Sequence, residues 1–343
     1  MTKATPRTER HDDGRASKLA FVACSDSRLL WQSAHLLHQA KELEDEGAID
    51  LYYFTSDPIP PDLEGLFAGI EVEHFQGELV ESDYGRPSYI STAALLRIYA
   101  LDVLGQRYQR VAYLDSDVFL RWGRLSDLTK IQFGGAPLAA VRDRAHWGSK
   151  VEQWVARKYL PNLPQGAQKR YFNSGMLVIN SEKYIAQEVS PRALHFLEKH
   201  PEICHYGDQS ALNAAADGDW AELSPSWNWQ ANTRYDFMIP TRDPRVVHFT
   251  GPVKPWKDRL RRFDEYYWQS MRRWLVKHGL LERFSNSILQ PFDSGKDRMR
   301  ARLASDRPTS PLEMREFSKP YLSRTDFADI QAGLRAWGWS EGR

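Results

Sequence analysis

At 343 residues, with 42% hydrophobic and 27% charged residues, the chain has the make-up of a folded protein with a sizeable core, which excludes a disordered one. Its 46 Lys and Arg against 45 Asp and Glu leave a net charge of +1, which excludes a global electrostatic footprint for nucleic acid. Two cysteines, Cys24 and Cys204, are too few for a disulfide framework or a thiolate zinc site; they suit a reducing cytosol and read as small buried residues. Residues 1–17 are polar and charged, read as a flexible leader and lack the apolar stretch of a signal peptide. No later run approaches the roughly 20 apolar residues of a membrane span.

The first element is a short β-rich run, KLAFVAC (18–24), followed by apolar residues at helical spacing that close on Gly47. AIDLYYFTSD (48–57) predicts a second strand. This alternation predicts an α/β protein, a mostly parallel central sheet flanked by helices, whose ligands bind beyond the carboxyl ends of the strands. The Pro-rich DPIPPDLEG and a weaker strand signal in IEVEHFQG come next. STAALLRIYALDVLGQ predicts a helix capped by Ser91 and stopping near Gly105, and RVAYL follows at once as a strand. APLAAVRD (136–143) and YFNSGMLVIN (171–180) predict further strands, separated by a charged helical stretch and followed by the helix SPRALHFLEKH. RVVHFTGPVKPW reads as a strand then a loop.

From 257 to 284 the pattern is helical, basic and aromatic, with eight basic residues against four acidic ones, a local +4. Two readings stand. Its Arg residues with Tyr266, Tyr267, Trp268 and Trp274 seat the protein on an anionic inner-leaflet surface, or a helix pair packs these aromatics on the sheet and leaves a solvated basic face. The tail from about 285 is polar, with DRPTSPLEM as a linker before a final short helix around DFADIQAGLRAWGW. The organisation expected is a leader (1–17), an α/β domain (18–256) and a helical C-terminal extension (257–343) that meets an acceptor or a membrane surface.

Chemistry concentrates where RVAYL runs into Asp115-Ser116-Asp117. Like charges this close repel, and a carboxylate leaving water needs a compensating partner. If both aspartates continue the strand, residues i and i+2 project to one side and converge on one cation; the alternative is that they cap the next turn. The chain carries its own control in Asp217 and Asp219, which flank a Gly after no apolar strand and read as a turn. A hard divalent cation such as Mn²⁺ or Mg²⁺ takes mainly oxygen ligands, some supplied by substrate phosphates. His248, at the end of a β-branched run, is the best distant third ligand. Gly251 and Lys254 after it can offer backbone N–H groups and a point charge to a phosphate.

Four strings in this order, YLDSDVFL, YFNSGMLVIN, YGDQSALN and HFTGPVKPW, resemble the retaining glycosyltransferases of family 8 over about residues 18–256. The resemblance implies a GT-A (Rossmann-like) fold, a UDP-sugar donor, Mn²⁺ (or Mg²⁺), and transfer of a hexose with retention to a saccharide or glycolipid acceptor, as in lipopolysaccharide biosynthesis in the cytoplasm. By position, Asp115, Asp117 and His248 would hold the metal. Ala23, Ser25, Asp26, Arg97, Ser116, Gly251 and Lys254 would contact the nucleotide and its diphosphate. Asp143, Asn173, Ser174 and Asp208 would bind the transferred sugar, and Asp208 and Gln209 would face the anomeric centre. The loop ACSDSRLL keeps Asp26 but has Ser25 and Arg28 where the family usually has an acid and an aromatic. Because an amide is a poor nucleophile, Gln209 points to front-face attack, with its carbonyl shielding the other face of the sugar cation. Two competing readings are a nucleotidyltransferase making sugar nucleotides, which should carry a Gly-rich loop after the first strand, and a silent sugar-nucleotide-binding protein.

Overall fold

The computed structural model describes residues 18–77, 92–147, 150–231, 243–251, 254–256 and 263–283. The leader, the capping Ser91, residues 257–262 and the tail from 284 lie outside the described residues. The first strand, β1 (Leu19–Ser25), is buried at every position, as a strand covered on both faces must be. Its side chains alternate between two cores: Leu19, Phe21 and Ala23 enter one apolar cluster, while Ala20, Val22 and Cys24 enter the other. Helix α1 (Leu30–Leu43) covers the first face; it ends four residues before Gly47, which takes φ +75° in the turn that follows.

Strands β2 (Ile49–Thr55) and β3 (Glu71–His74) add in parallel on one side of β1. After helix α2 (Leu96–Gly105), strand β4 (Arg110–Leu114) adds in parallel on the other. The chain then turns into the short β5 (Val118–Leu120), returns as β6 (Leu138–Arg142), and crosses a helical stretch, α3 (Arg144–Trp147), α4 (Lys150–Tyr159) and α5 (Gln165–Lys169). Strand β7 (Phe172–Asn180) inserts between β4 and β6 and is antiparallel to both. Helices α6 (Ser181–Ala186), α7 (Val189–Lys199) and α8 (Asp208–Ala216) follow, and β8 (Ala221–Glu222) closes the seven-stranded sheet, β3-β2-β1-β4-β7-β6-β8. The reversal of β7 matters for function. Its amino-terminal residues, not its carboxyl end, reach the edge where β1, β4 and β6 finish.

A second, three-stranded sheet sits beside this edge: β5 pairs antiparallel with β10 (Val246–His248), which pairs in parallel with β9 (Trp229–Gln230). The aspartates expected on a strand are therefore in the turn between β4 and β5, each strand belonging to a different sheet. Asp217 and Asp219 are structural, as the turn reading required: Asp217 takes φ +42° after α8, and its Oδ1 accepts from Gly166 N (2.7 Å) and Ala167 N (3.1 Å) at the start of α5.

Helix α9 (Asp264–Lys277) makes up most of the described part, 263–283, of the basic, aromatic segment. It buries Tyr267, Met271, Trp274 and Leu275 in the same cluster as α1 and β1, with Trp31 and Trp274 edge-on at 6.4 Å. Arg272, Arg273 and Lys277 remain exposed. No helix among the described residues is long and apolar enough to cross a membrane.

The seam between α1 and α9 makes a testable statement about pH. His35 is 1% exposed, its Nε2 lies 3.1 Å from Ser270 Oγ, and burial pushes its imidazole down to about 3, with His38 and Arg273 adding to the shift. The folded value lies below the unfolded one near 6.5, so the unfolded chain binds the proton first and stability is lost as pH falls below about 6.5. Between pH 7 and pH 5 this one group should cost about 2 kcal/mol. Urea midpoints at the two pH values should therefore differ more for the wild type than for His35→Gln; equal pH slopes would contradict the assignment.

Candidate active site

A cleft of about 660 Å³ opens where β1, β4 and β6 end and β7 begins, and every site residue expected from the sequence except Ala23 lines it. Ala23 is wholly buried, paired in the ladder with Tyr53 and Leu114, and its side chain faces the core under α1; Cys24, one residue on, points to the other face and lines the cleft.

The backbone explains how residues remote in sequence meet. Asp115 N donates to Gly175 O at 2.9 Å, carrying the β4–β7 ladder one rung into the turn. On the far side of the turn His248 stands opposite Val118, and Phe249 N donates to Asp117 O at 2.9 Å. His248 Nε2 thus lies 3.5 Å from Asp115 Oδ2 and 3.3 Å from Asp117 Oδ1. The three side chains offer ligand atoms within 4.8 Å of one another, a set able to hold a metal ion. Two hard carboxylate oxygens and an imidazole suit a hard or borderline divalent cation. The cradle depends on Gly175, where a Cβ would lie 2.0 Å from His248 Cε1 and 2.9 Å from Asp115 Oδ2.

Lys254 Nζ pairs with Asp117 Oδ2 and donates to Phe249 O at 2.8 Å. Burial disfavours the Asp117 charge, but Lys254 and His248 more than offset it and hold the carboxyl well below the usual range. Gly251, three residues before Lys254, takes φ +80° in the same loop. Ser116 is buried; its Oγ donates to Cys24 O (3.1 Å) and meets Ser33 Oγ (2.7 Å), which in turn meets Ser25 Oγ (2.8 Å). This hydroxyl chain pins the aspartate turn to the end of β1. Asp26 is committed to Arg28, accepting from its Nε at 2.9 Å and its backbone N at 3.0 Å.

Arg97, projecting from α2, is the buried cation of the site. Its Nη1 donates to Ser174 O (2.9 Å) and Ser174 Oγ (3.0 Å), its Nη2 lies 3.0 Å from Asp115 Oδ1, and its guanidinium lies over the Tyr113 ring. Burial opposes its charge, yet Asp115 and Asp208 more than compensate, so the guanidinium stays charged. Arg97 Nε is 3.0 Å from Asp208 Oδ2, but its N–H is directed to Ala94 O, also at 3.0 Å. That carboxylate oxygen is left buried with a charge beside it and, among the described residues, no hydrogen bond. Burial pushes Asp208 up to about 6; Arg97 opposes the shift and Asp115 adds to it.

The remaining expected residues form one network. Asp143 Oδ2 accepts from Asn173 Nδ2 (3.0 Å) and Gln209 Nε2 (3.3 Å). Gln209 Oε1 accepts from Ser174 N and Asn173 Nδ2, both at 3.1 Å. In this conformation the Gln209 carbonyl therefore faces β7, not the open cleft, which leaves its oxygen no lone pair to offer a sugar cation.

Sequence reasoning missed three contributors. Tyr113 donates to Asp115 Oδ1. Asn228 contacts both His248 Nδ1 (3.0 Å) and Asn173 Oδ1 (2.9 Å). Gln230 lines the cleft and accepts from Arg144 N at 3.2 Å. For Asn228 and Gln230 the signal was the string WNWQ, in which buried polar residues alternate with Trp227 and Trp229.

Comparison with known proteins agrees with this geometry. General stress protein A of Bacillus subtilis is 29% identical over 210 residues, covering 54% of this chain and 68% of its own. Lipopolysaccharide glucosyltransferase WaaO of Escherichia coli is 31% identical over 176 residues, covering 48% of this chain and 49% of its own, so the match spans about half the length of that relative. The crystal structure of galactosyltransferase LgtC in complex with donor and acceptor sugar analogs superposes with a TM-score of 0.58 at 22% identity, over 74% of this chain and 95% of that one, which establishes the GT-A fold. The profile of glycosyl transferase family 8 matches residues 49–259, a stretch that holds the aspartate turn, β7, α8 and the His248 loop alike, and the chain belongs to that family.

Proposed function

We propose that the protein is a metal-dependent, retaining hexosyltransferase that moves galactose or glucose from a UDP-sugar to a hydroxyl of a saccharide or glycolipid. The observation that carries this reading is the cluster of Asp115, Asp117 and His248 within 4.8 Å in the cleft, with Lys254 against Asp117. The names of relatives support the substrate class: one is the glucosyltransferase WaaO, another the lipopolysaccharide 1,3-galactosyltransferase of Salmonella typhimurium. A divalent ion, Mn²⁺ or Mg²⁺, held by these three residues would act as a Lewis acid toward the departing diphosphate.

The chain's own residues do the rest. Lys254 places a positive charge where the diphosphate gains a negative one, and Gly251 leaves its loop free to approach phosphate closely. The Ser25 end of β1, with Asp26 and Arg28, lies where the nucleoside would rest. Asp143, Asn173, Ser174 and Asp208 line the donor-sugar end. Gln209, its oxygen engaged by Ser174 N and Asn173 Nδ2, serves as a fixed neutral wall and not as a nucleophile. Retention then comes from attack on the face the leaving group vacates, with a phosphate oxygen taking the acceptor proton. This reading puts the enzyme in the cytoplasm, with lipid contact limited to what exposed Tyr266, Arg272, Arg273 and Lys277 of α9 offer. Residues 144–170 and the segment from 257 onward then provide the acceptor side.

A screen of UDP-, GDP- and ADP-sugars for donor hydrolysis tests the proposal. UDP-galactose or UDP-glucose should be turned over with Mn²⁺, lose activity with EDTA and recover on adding metal back. Metal-independent turnover, or none with any sugar nucleotide, would refute it.

A further inference from the structure

We infer that Asn228 is a positioning residue that fixes which nitrogen of His248 faces Asp115 and Asp117. The argument starts from a group with no choice. The Asp143 carboxylate can only accept, and its Oδ2 meets Asn173 Nδ2 at 3.0 Å, so the Asn173 amide must turn its NH₂ toward β6. Its Oδ1 then faces the other way, where a second group with no choice confirms it: the backbone N–H of Gly175 donates to that oxygen at 3.1 Å.

Asn228 also reaches Asn173 Oδ1, at 2.9 Å. A partner that is already an acceptor obliges Asn228 to present Nδ2, and its Oδ1 is thereby aimed at His248 Nδ1, 3.0 Å away. An amide oxygen carries no hydrogen, so Nδ1 must supply it. Nε2 is then the nitrogen directed at the two aspartates, and its lone pair is the one a metal held there would take. The polarity of three side chains is thus set from the Asp143 carboxylate and one peptide N–H, and Asn173, Asn228 and His248 are all buried at 6%, 1% and 4% exposure, where an unmade hydrogen bond is costly. An outer-shell partner that fixes a ligating imidazole this way is what raises its worth as a ligand. One amide therefore ties the donor-sugar end of the cleft to the metal end.

This inference rests on the metal-dependent reading above, and its test separates the two. Mn²⁺ affinity is measured on the full chain without sugar nucleotide, from the electron paramagnetic resonance signal of free Mn²⁺, with thermal melting of each variant alongside. Asn228→Ala leaves Nδ1 without its acceptor, and affinity should fall about 10- to 100-fold. Asn228→Asp keeps an acceptor for Nδ1–H but loses the donor to Asn173, so Mn²⁺ affinity should return to the wild-type level while the KM for the sugar nucleotide stays raised. Should the alanine variant not fold, this split between metal affinity and donor KM in the aspartate variant carries the test. A folded Asn228→Ala that binds Mn²⁺ as tightly as wild type, or an Asn228→Asp that loses the metal, overturns the role of Asn228 alone. A wild-type chain that takes up no Mn²⁺ overturns the metal reading and this inference with it.

Discussion

Replacing Asp117 by Asn should lower transfer activity about 10²- to 10³-fold, the loss expected when one charged group at a developing charge is removed, about 3 to 4 kcal/mol of barrier. The shape of the side chain is kept, so the effect isolates charge and polarity. Asp117 Oδ1 stands 3.3 Å from His248 Nε2 and Oδ2 pairs with Lys254, so each oxygen serves a different neighbour. An amide can satisfy only one of them: its NH₂ would be pressed against the Lys254 ammonium or would take the Nε2 lone pair away from a metal. Excess Mn²⁺ should therefore fail to restore kcat even where it saturates the site. Asp219→Asn is the matched control, from the same Asp-x-Asp spacing, because Asp219 is exposed and accepts, among the described residues, from Gln187 Nε2 at 3.3 Å. Initial rates against Mn²⁺ for both variants decide the point; an Asp117→Asn enzyme within threefold of wild type would remove the metal assignment.

The succession of the main strands along the chain and the chemistry of the turn were legible because both are local. RVAYL is a continuous apolar run, and a carboxylate pair at its end has few uses in a core. The direction of β7 was not legible, since nothing in YFNSGMLVIN distinguishes a parallel from an antiparallel partner; only the fold shows that Asn173 and Ser174 reach the site from the start of their strand. The same non-locality explains the error over the aspartates, which sit in a turn between two sheets because β5 leaves β4 to pair with β10. Ala23 was misplaced by one residue, and a slip of one in a strand exchanges its faces. The burial of Tyr267 and Trp274 against α1 follows from long-range packing that helical periodicity allows but does not identify. Directional hydrogen bonding is the least legible level, because a string of amide side chains does not say which end of each faces which neighbour.

Arg97→Met should destabilise the protein by about 3 to 5 kcal/mol at pH 8, the range for breaking a buried ion pair from one side. The substitution fills much of the same volume with an apolar chain, so the deficit comes from what the guanidinium leaves behind. Ser174 O and Ala94 O each lose a donor, and Asp115 and Asp208 lose the charge between them. Asp208 can escape by taking a proton, and that escape gives the prediction a pH signature. Its folded value is already up at about 6, above the usual carboxyl range, so it is a group whose burial costs stability as pH rises through that value. Without Arg97 the value moves higher, and the extra cost accrues only above about pH 6, where the wild-type carboxyl would have ionised. At pH 5 Asp208 is protonated in either folded protein, and the part of the deficit owed to it vanishes. Urea unfolding of both proteins at pH 5 and pH 8 should accordingly show a larger gap at the higher pH. A variant as stable as wild type at pH 8 would mean that solvent reaches this network and that Arg97 is not the charge that holds two acidic side chains in the floor of the cleft.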